Sequence, residues 1–332
     1  MQIRKAVITA AGRSTGQNPA GETVLKAMLP VVDRDGTPKP VLQIIAEEAL
    51  DSGIEEVCVV AAPGDEQTYR QCIQGLIDSL RHAPGDTAAS QEQIQRLLDL
   101  DRRLRFAVQE RPEGYGHAVW CAREFVGNEP FLLLVSDHLY VSGEQRRCAR
   151  QILDLASQEN CAVAAVQATR EHLIGCYGTV AGKRLTGQPH VLQIEEIIEK
   201  PHPSVAEQRL HVPGLRVGHY LCLFGMQVLT PTLFAILDAH VKTREDERTP
   251  IQLTPALREL ARRERYLALQ TVGRRHDIGV KYGLLEAQIA LAMAGVDRDH
   301  VLARLVELLV QFEQDRSGDA KTGPGGPAQA SA

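Results

Sequence analysis

Two acidic residues are candidates for holding a cation, and the first stands where a carboxylate is costly unless it has a partner. In segment 132–138 (LLLVSDH) Asp137 closes a fully apolar run. At the carboxyl edge of a sheet it could hold a hard cation such as Mg²⁺ shared with phosphates. Capping the next helix is the competing use of the same residue. In segment 276–283 (HDIGVKYG) Asp277 precedes the apolar stretch 284–293. There too, helix capping competes with completing an oxygen-rich cation site alongside Asp137.

Three further segments carry usable chemistry. Segment 10–30 (AAGRSTGQNPAGETVLKAMLP) is a glycine-containing loop directly after a short apolar strand. Such a loop lies where open α/β sheets bind ligands, and its backbone N–H groups can cradle phosphate. A plain surface loop has an equal claim, since the segment matches neither the dinucleotide fingerprint nor the P-loop. In segment 109–119 (QERPEGYGHAV) Gln109 stands at a strand end, with Gly114 and Gly116 ahead of a helix. Glutamine both donates and accepts and could read a pyrimidine edge, and glycine permits close backbone approach. A solvated strand end for Gln109, and a helix-start packing role for His117, compete with that reading. Segment 197–201 (IIEKP) ends a strand in Glu199 and Lys200. Lysine binds phosphate as a point charge and glutamate accepts from sugar hydroxyls, although an exposed ion pair is the simpler account of the two alone.

The elements that would position these residues follow from apolar patterning. Runs 6–9, 57–62, 105–108, 130–135 and 161–168 are apolar strands, and 41–52, 66–81, 117–125 and 143–157 have helical spacing. Segment 87–93 reads as an exposed loop leading into a short helix. Strands apolar on both faces that alternate with helices indicate a covered parallel sheet. The second half is less regular, with strands expected at 191–199, 221–229 and 266–270. The stripe Val301, Leu302, Leu305, Leu309 and Phe312 marks an amphipathic helix. It is expected to pack on its own domain, with a subunit contact as the alternative. The organisation expected is a main domain at 1–295, this helix at 296–316 and a disordered tail at 317–332 rich in Gly, Pro, Ala and Ser.

The bulk composition narrows the function classes. The 332 residues carry a net charge of −5, which argues against nucleic acid as a partner. No stretch reaches the length needed to span a bilayer, and the start shows no signal segment, so a cytoplasmic protein with no membrane partner is expected. The seven cysteines are odd in number and form neither a C-x-x-C motif nor a zinc-ligand spacing, consistent with reduced thiols. No dinucleotide fingerprint is present, which argues against a nicotinamide oxidoreductase.

Taken in order, the segments KAVITAAG, KAMLPVVD, KPVLQIIAEEALDSGIEEVCVV, QERPEGYGHAV, LLLVSDH, IIEKP, VLTPTLF, IQLTPAL and DIGVKYG resemble the sugar-1-phosphate nucleotidyltransferase superfamily. The resemblance spans about 5–293 and is strongest to the UTP–glucose-1-phosphate uridylyltransferases. It implies an α/β fold, a Rossmann-like α/β/α sandwich with a mixed central sheet (the nucleotide-diphospho-sugar transferase fold). It implies transfer from UTP to a sugar-1-phosphate, glucose-1-phosphate first among them, giving a UDP-sugar and pyrophosphate. By resemblance Ala10, Ala11, Gly12 and Arg13 belong to the nucleotide loop, Gln109 and Gly114 read uracil, and Lys26 binds the triphosphate. Asp137 and Asp277 hold Mg²⁺, Gly178 and Glu199 contact the sugar, and Lys200 its phosphate. A homo-oligomer is the family default.

One departure stands in the loop. The family pattern G-x-G-T-R is here Gly12-Arg13-Ser14-Thr15-Gly16, so the second glycine is serine and the arginine is glycine. Loss of a preorganised donor of that kind costs about 10²–10³ in rate. A weakened or inactive nucleotide-binding protein on the same fold, and a transferase for another sugar or for dTTP, therefore stand beside the uridylyltransferase reading.

Overall fold

The computed structural model describes residues 1–12, 25–82, 87–244, 246 and 248–319. Its strands are β1 (Lys5–Thr9), β2 (Pro30–Val32), β3 (Pro38–Pro40), β4 (Glu56–Ala61), β5 (Leu104–Val108), β6 (Phe131–Val135), β7 (His138–Ser142), β8 (Ala162–Arg170), β9 (Thr179–Leu185), β10 (Gln188–Ile198), β11 (His219–Leu229), β12 (Tyr266–Gln270) and β13 (Gly273–Asp277). Its helices are α1 (Val41–Leu50), α2 (Asp65–His82), α3 (Ala88–Arg103), α4 (Tyr115–Cys121), α5 (Arg123–Val126), α6 (Cys148–Glu159), α7 (Pro203–Arg209), α8 (Thr232–Lys242), α9 (Leu253–Arg263), α10 (Gly283–Met293) and α11 (Arg298–Asp319).

Nine strands form one mixed sheet in the order β5-β4-β1-β6-β11-β8-β12-β10-β9. β1 pairs in parallel with both β4 and β6, whereas β11 runs antiparallel to β6 and β8. Successive residues along a strand point to opposite faces. Ile8, Val59 and Leu134 accordingly enter one apolar core, under α1, α2 and α6, while Val7, Val60 and Leu133 enter a second, under α4, α8 and α9. Two cores flanking one sheet give the α/β/α sandwich, and strands buried on both faces account for the continuous apolar runs in the sequence.

β7 and β13 stand apart as a two-stranded antiparallel ladder, with His138 opposite Asp277 and Leu139 opposite His276. β2 and β3 form a second small ladder. At its base the Lys39 ammonium is buried among Asp33, Asp35 and Glu47 at 2.7–2.8 Å. This cluster ties the chain after Lys26 to α1.

Some expectations need correction. Residues 87–93 are not a loop before a short helix. The Thr87 hydroxyl accepts from the Ser90 N–H at 3.2 Å and caps a helix that runs from Ala88 to Arg103, where Leu97 and Leu100 are buried. The helix expected at 143–157 starts only at Cys148, and that expected at 117–125 starts at Tyr115 and breaks at Ala122. α11 packs on its own domain only in part, through Val301 and Leu305 of the expected stripe, which are half-buried. Leu302, Leu309 and Phe312 of that stripe, with Val306, Leu308 and Val310, are exposed. α11 also continues through residues 317–319, the first part of the segment expected to be a disordered tail, and 320–332 lie outside the described residues. No described helix is long and apolar enough to cross a membrane.

Candidate active site

The carboxyl ends of β1, β4, β5 and β6 form one edge of the sheet. Ala10 leaves β1 with its N–H on the Val60 carbonyl at 2.8 Å. Ala11 is buried and Gly12 is exposed, with open space where a side chain would begin. Arg13, and the Ser14 and Gly16 departures, lie outside the described residues. At the far side of this edge Gln109 follows β5. Its N–H bonds the Ala61 carbonyl, and its side chain is buried rather than solvated. Gly114 has φ +110°, and the direction a side chain would take is filled by the backbone of Ile251, as close as 2.6 Å. Here the glycine admits the α8–α9 connection.

Asp137 follows β6 after a single residue, and the N–H of Ile278 donates to its carbonyl oxygen at 2.8 Å. This bond and the β7–β13 ladder carry Asp277 to Asp137 across 140 positions of sequence. An ideal Cβ placed on Gly279 would lie 3.0 Å from Asp277 Oδ1, 3.4 Å from Asp137 Oδ2 and 3.9 Å from Lys26 Nζ. Three side chains from separate parts of the chain therefore surround one point. Neither aspartate caps a helix. Asp277 ends β13 and accepts from the Gly279 N–H at 2.8 Å, six residues before α10 begins. Burial opposes its ionisation, but the His138 ring, the Gly279 N–H and the Arg275 charge together hold its carboxyl below the usual range.

His138 sits between the two carboxylates, its Nε2 3.9 Å from Asp137 Oδ1 and 3.7 Å from Asp277 Oδ2. Its Nδ1 lies 3.3 Å from the Phe224 carbonyl oxygen. Its neighbour in sequence was singled out above; His138 was not, because its role depends on a register partner far along the chain.

A cavity of about 260 Å³ opens beside this pair, lined by Asp137, Asp277, Gly178, Glu199 and Lys200 together with Tyr177. Glu199 and Lys200 do not form the exposed ion pair that was the simpler expectation. Glu199 Oε2 accepts from the Thr254 hydroxyl at 2.6 Å. A side chain at Gly178 would meet Glu199 Oε2 at 3.1 Å and Leu223 at 2.9 Å, so glycine lets the carboxylate approach the chain. Lys200 holds φ +44°, uncommon for a residue with a side chain, and its N–H bonds the Tyr177 carbonyl. The Arg275 guanidinium stacks at 3.4 Å over the Tyr177 ring and donates to the Leu223 carbonyl. Thr254, Tyr177 and Arg275 were missed as site residues. Thr254 lies within IQLTPAL, so only the resemblance could have drawn notice to it. Gln109, Gly114 and Ala10–Gly12 do not line this cavity and sit further along the same sheet edge.

The donor set is hard oxygen on both sides of one point, which suits a divalent cation of the Mg²⁺ class. No three His, Cys, Asp or Glu side chains among the described residues gather closely enough to hold a metal ion by themselves.

Comparisons with known proteins bear on the family of the chain. A nucleotidyl transferase profile matches residues 5–293. The chain is 33% identical over 312 residues to the UTP–glucose-1-phosphate uridylyltransferase YngB of Bacillus subtilis (strain 168), covering 93% of this chain and 96% of that one. It is 33% identical over 297 residues to the UTP–glucose-1-phosphate uridylyltransferase of Streptococcus pneumoniae serotype 4, covering 88% and 91% respectively. A solved structure of UDP-glucose pyrophosphorylase complexed with UDP-glucose superposes with a TM-score of 0.69 at 27% identity, over 87% of this chain and 98% of that one. The chain belongs to the nucleotidyl transferase family, and within it to the UTP–glucose-1-phosphate uridylyltransferases.

Proposed function

We propose that this protein joins UTP to glucose-1-phosphate, giving UDP-glucose and pyrophosphate. The observation that carries the reading is the meeting of Asp137, Asp277 and Lys26 around Gly279, beside a cavity that also holds Glu199 and Lys200. A phosphate oxygen of the sugar phosphate attacks the α-phosphorus of UTP in line. One P–O bond forms, the bond to the bridging α–β oxygen breaks, and the pair of electrons leaves with pyrophosphate. The attacking oxygen is already anionic, so no general base is needed and catalysis rests on positioning and charge.

In this reading Lys26 draws the triphosphate toward the carboxylates and Lys200 holds the phosphate of the sugar. Glu199, oriented by Thr254, and the backbone of Gly178 take the sugar hydroxyls. The turn Ala10-Ala11-Gly12, with Arg13 after it, borders the nucleotide, and Gln109 and Gly114 meet the base. Asp137 and Asp277 would hold Mg²⁺, which when bound spreads the negative charge that builds up as the phosphates meet. The cysteines are all free thiols, which suits a cytoplasmic setting. The exposed apolar residues of α11 support self-association into a homo-oligomer.

The test is a panel of triphosphates and sugar-1-phosphates assayed with Mg²⁺ for pyrophosphate and nucleotide sugar. UTP with glucose-1-phosphate should give the highest kcat/KM. A higher value for dTTP or for an N-acetylated sugar phosphate would replace the proposed substrates, and no pyrophosphate from any pair would remove the transferase reading.

A further inference from the structure

The Gln109 amide is held in one orientation by two neighbours. Its Nε2 lies 3.1 Å from the Gly114 carbonyl oxygen and 3.1 Å from His117 Nδ1. A carbonyl oxygen only accepts, so the amide atom facing it is the nitrogen, whichever way the amide is first placed. With both amide hydrogens so directed, His117 Nδ1 acts as an acceptor and the ring proton sits on Nε2, facing Glu113 Oε2 at 3.5 Å. Burial, with the nearby Arg111 and Arg244 charges, holds the His117 pKa below its ordinary value against the pull of Glu113 and of a hydrogen bond to the Arg111 backbone, which favours the neutral ring. Both guanidinium groups are anchored on Glu113 at 3.1 Å, and Trp120 stacks on the ring at 5.4 Å.

The other end of the amide is left over. Gln109 Oε1 makes no hydrogen bond within the described residues and is not sealed from solvent. It stands on the sheet edge shared with the Ala10–Gly12 turn, since Gln109 and Ala10 hang from the adjacent carbonyls of Ala61 and Val60.

Building on the reading of this edge as the UTP site, we infer that His117 is a positioning residue for base selection. It locks Gln109 with its amide oxygen outward, which makes the subsite an acceptor that takes the N3–H of uracil or thymine and refuses cytosine. Cytosine has a lone pair at N3. It could meet Oε1 through its 4-amino group only by sliding along the edge, leaving N3 unmet. Turning the amide over to suit cytosine would point Oε1 at the Gly114 oxygen and at His117 Nδ1, two acceptors at once. The same logic leaves uracil and thymine alike at this contact.

Binding of UTP and CTP, and kcat/KM with each, should be measured for the wild type, His117→Asn and His117→Leu. Asparagine puts an amide oxygen where Nδ1 stands, whereas leucine fills space without an acceptor; both lose the stacking on Trp120. The wild type should prefer UTP by about 100-fold, His117→Asn should keep that preference within about threefold, and His117→Leu should lose about tenfold of it. N3-methyl-UTP on the wild type tests the contact without any variant and should bind at least about tenfold more weakly than UTP. Equal binding of UTP and CTP by the wild type, undiminished binding of N3-methyl-UTP, or a preference that moves together in both variants would overturn the inference. Selective UTP binding with the predicted variant pattern but no turnover would uphold it and remove the transferase reading. UTP-specific turnover with both variants unchanged would do the reverse.

Discussion

His138 and Asp277 face each other as register partners in the β7–β13 ladder, with the ring Nε2 3.7 Å from the carboxylate. Because β7 begins immediately after Asp137, this one cross-strand pair sets the spacing of both aspartates. The ring needs room that β11 provides. Gly225 has φ +81°, and a Cβ there would lie 2.2 Å from His138 Nδ1.

Gly225→Ala should therefore displace His138 and strain the backbone. The expected loss is about 2–4 kcal/mol of stability, from a positive-φ position and a forced shift in a packed interior. Urea denaturation reads the first effect. Transferase activity should fall by more than the unfolded fraction explains, because the aspartate spacing is disturbed.

Asp137→Asn and Asp277→Asn should each lower kcat by about 10²–10³ while leaving the protein folded. Asp137 is half exposed and Asp277 more enclosed, so the second change should also move the thermal midpoint while the first should not. Comparing melting curves with the rate of pyrophosphate release separates the two effects.

How much of this could be read from the sequence depended on where the information lay. The central strands were legible because burial on both faces leaves continuous apolar runs, as in Phe131–Val135. β13, Gly-Arg-Arg-His-Asp, has no such pattern, and its pairing with β7 is purely tertiary. For that reason Asp277 could be read equally as a cap or as part of a site, and His138 was not noticed. Thr254 and Arg275 act through Glu199 and Tyr177, partners distant in sequence that no local spacing reveals. The outward position of α11 was hidden for a related reason, since an apolar stripe records that a face is to be covered and not by what.

Lys200→Met should raise KM for glucose-1-phosphate by at least about tenfold and change KM for UTP little, as expected when a charge-assisted contact to one substrate is removed. The change keeps length and packing. Initial rates at varied sugar phosphate and fixed UTP provide the check, and an equal rise in both KM values would assign Lys200 to the triphosphate instead.

The buried His117 and half-buried His276 imidazoles give the protein an acid-side dependence with a definite sign. Burial, with Arg111 and Arg244 nearby, lowers the His117 pKa from 6.5, and burial with Arg274 nearby lowers that of His276. In the window below about 6.5 and above the folded values, the unfolded chain binds more protons, so stability falls as pH drops through that window and is fully present above it. The urea midpoint should decline from about pH 7.5 to about pH 5.5, and His117→Asn should decline less steeply over the same range.

The most direct test of the account is ³¹P NMR of the wild-type protein with UTP, glucose-1-phosphate and Mg²⁺. The UTP and sugar-phosphate resonances should fall together while UDP-glucose and pyrophosphate rise in equal amounts, and neither product should form when Mg²⁺ is removed by chelation. Bound UTP that persists unchanged beside glucose-1-phosphate, or phosphate released in place of pyrophosphate, would contradict it.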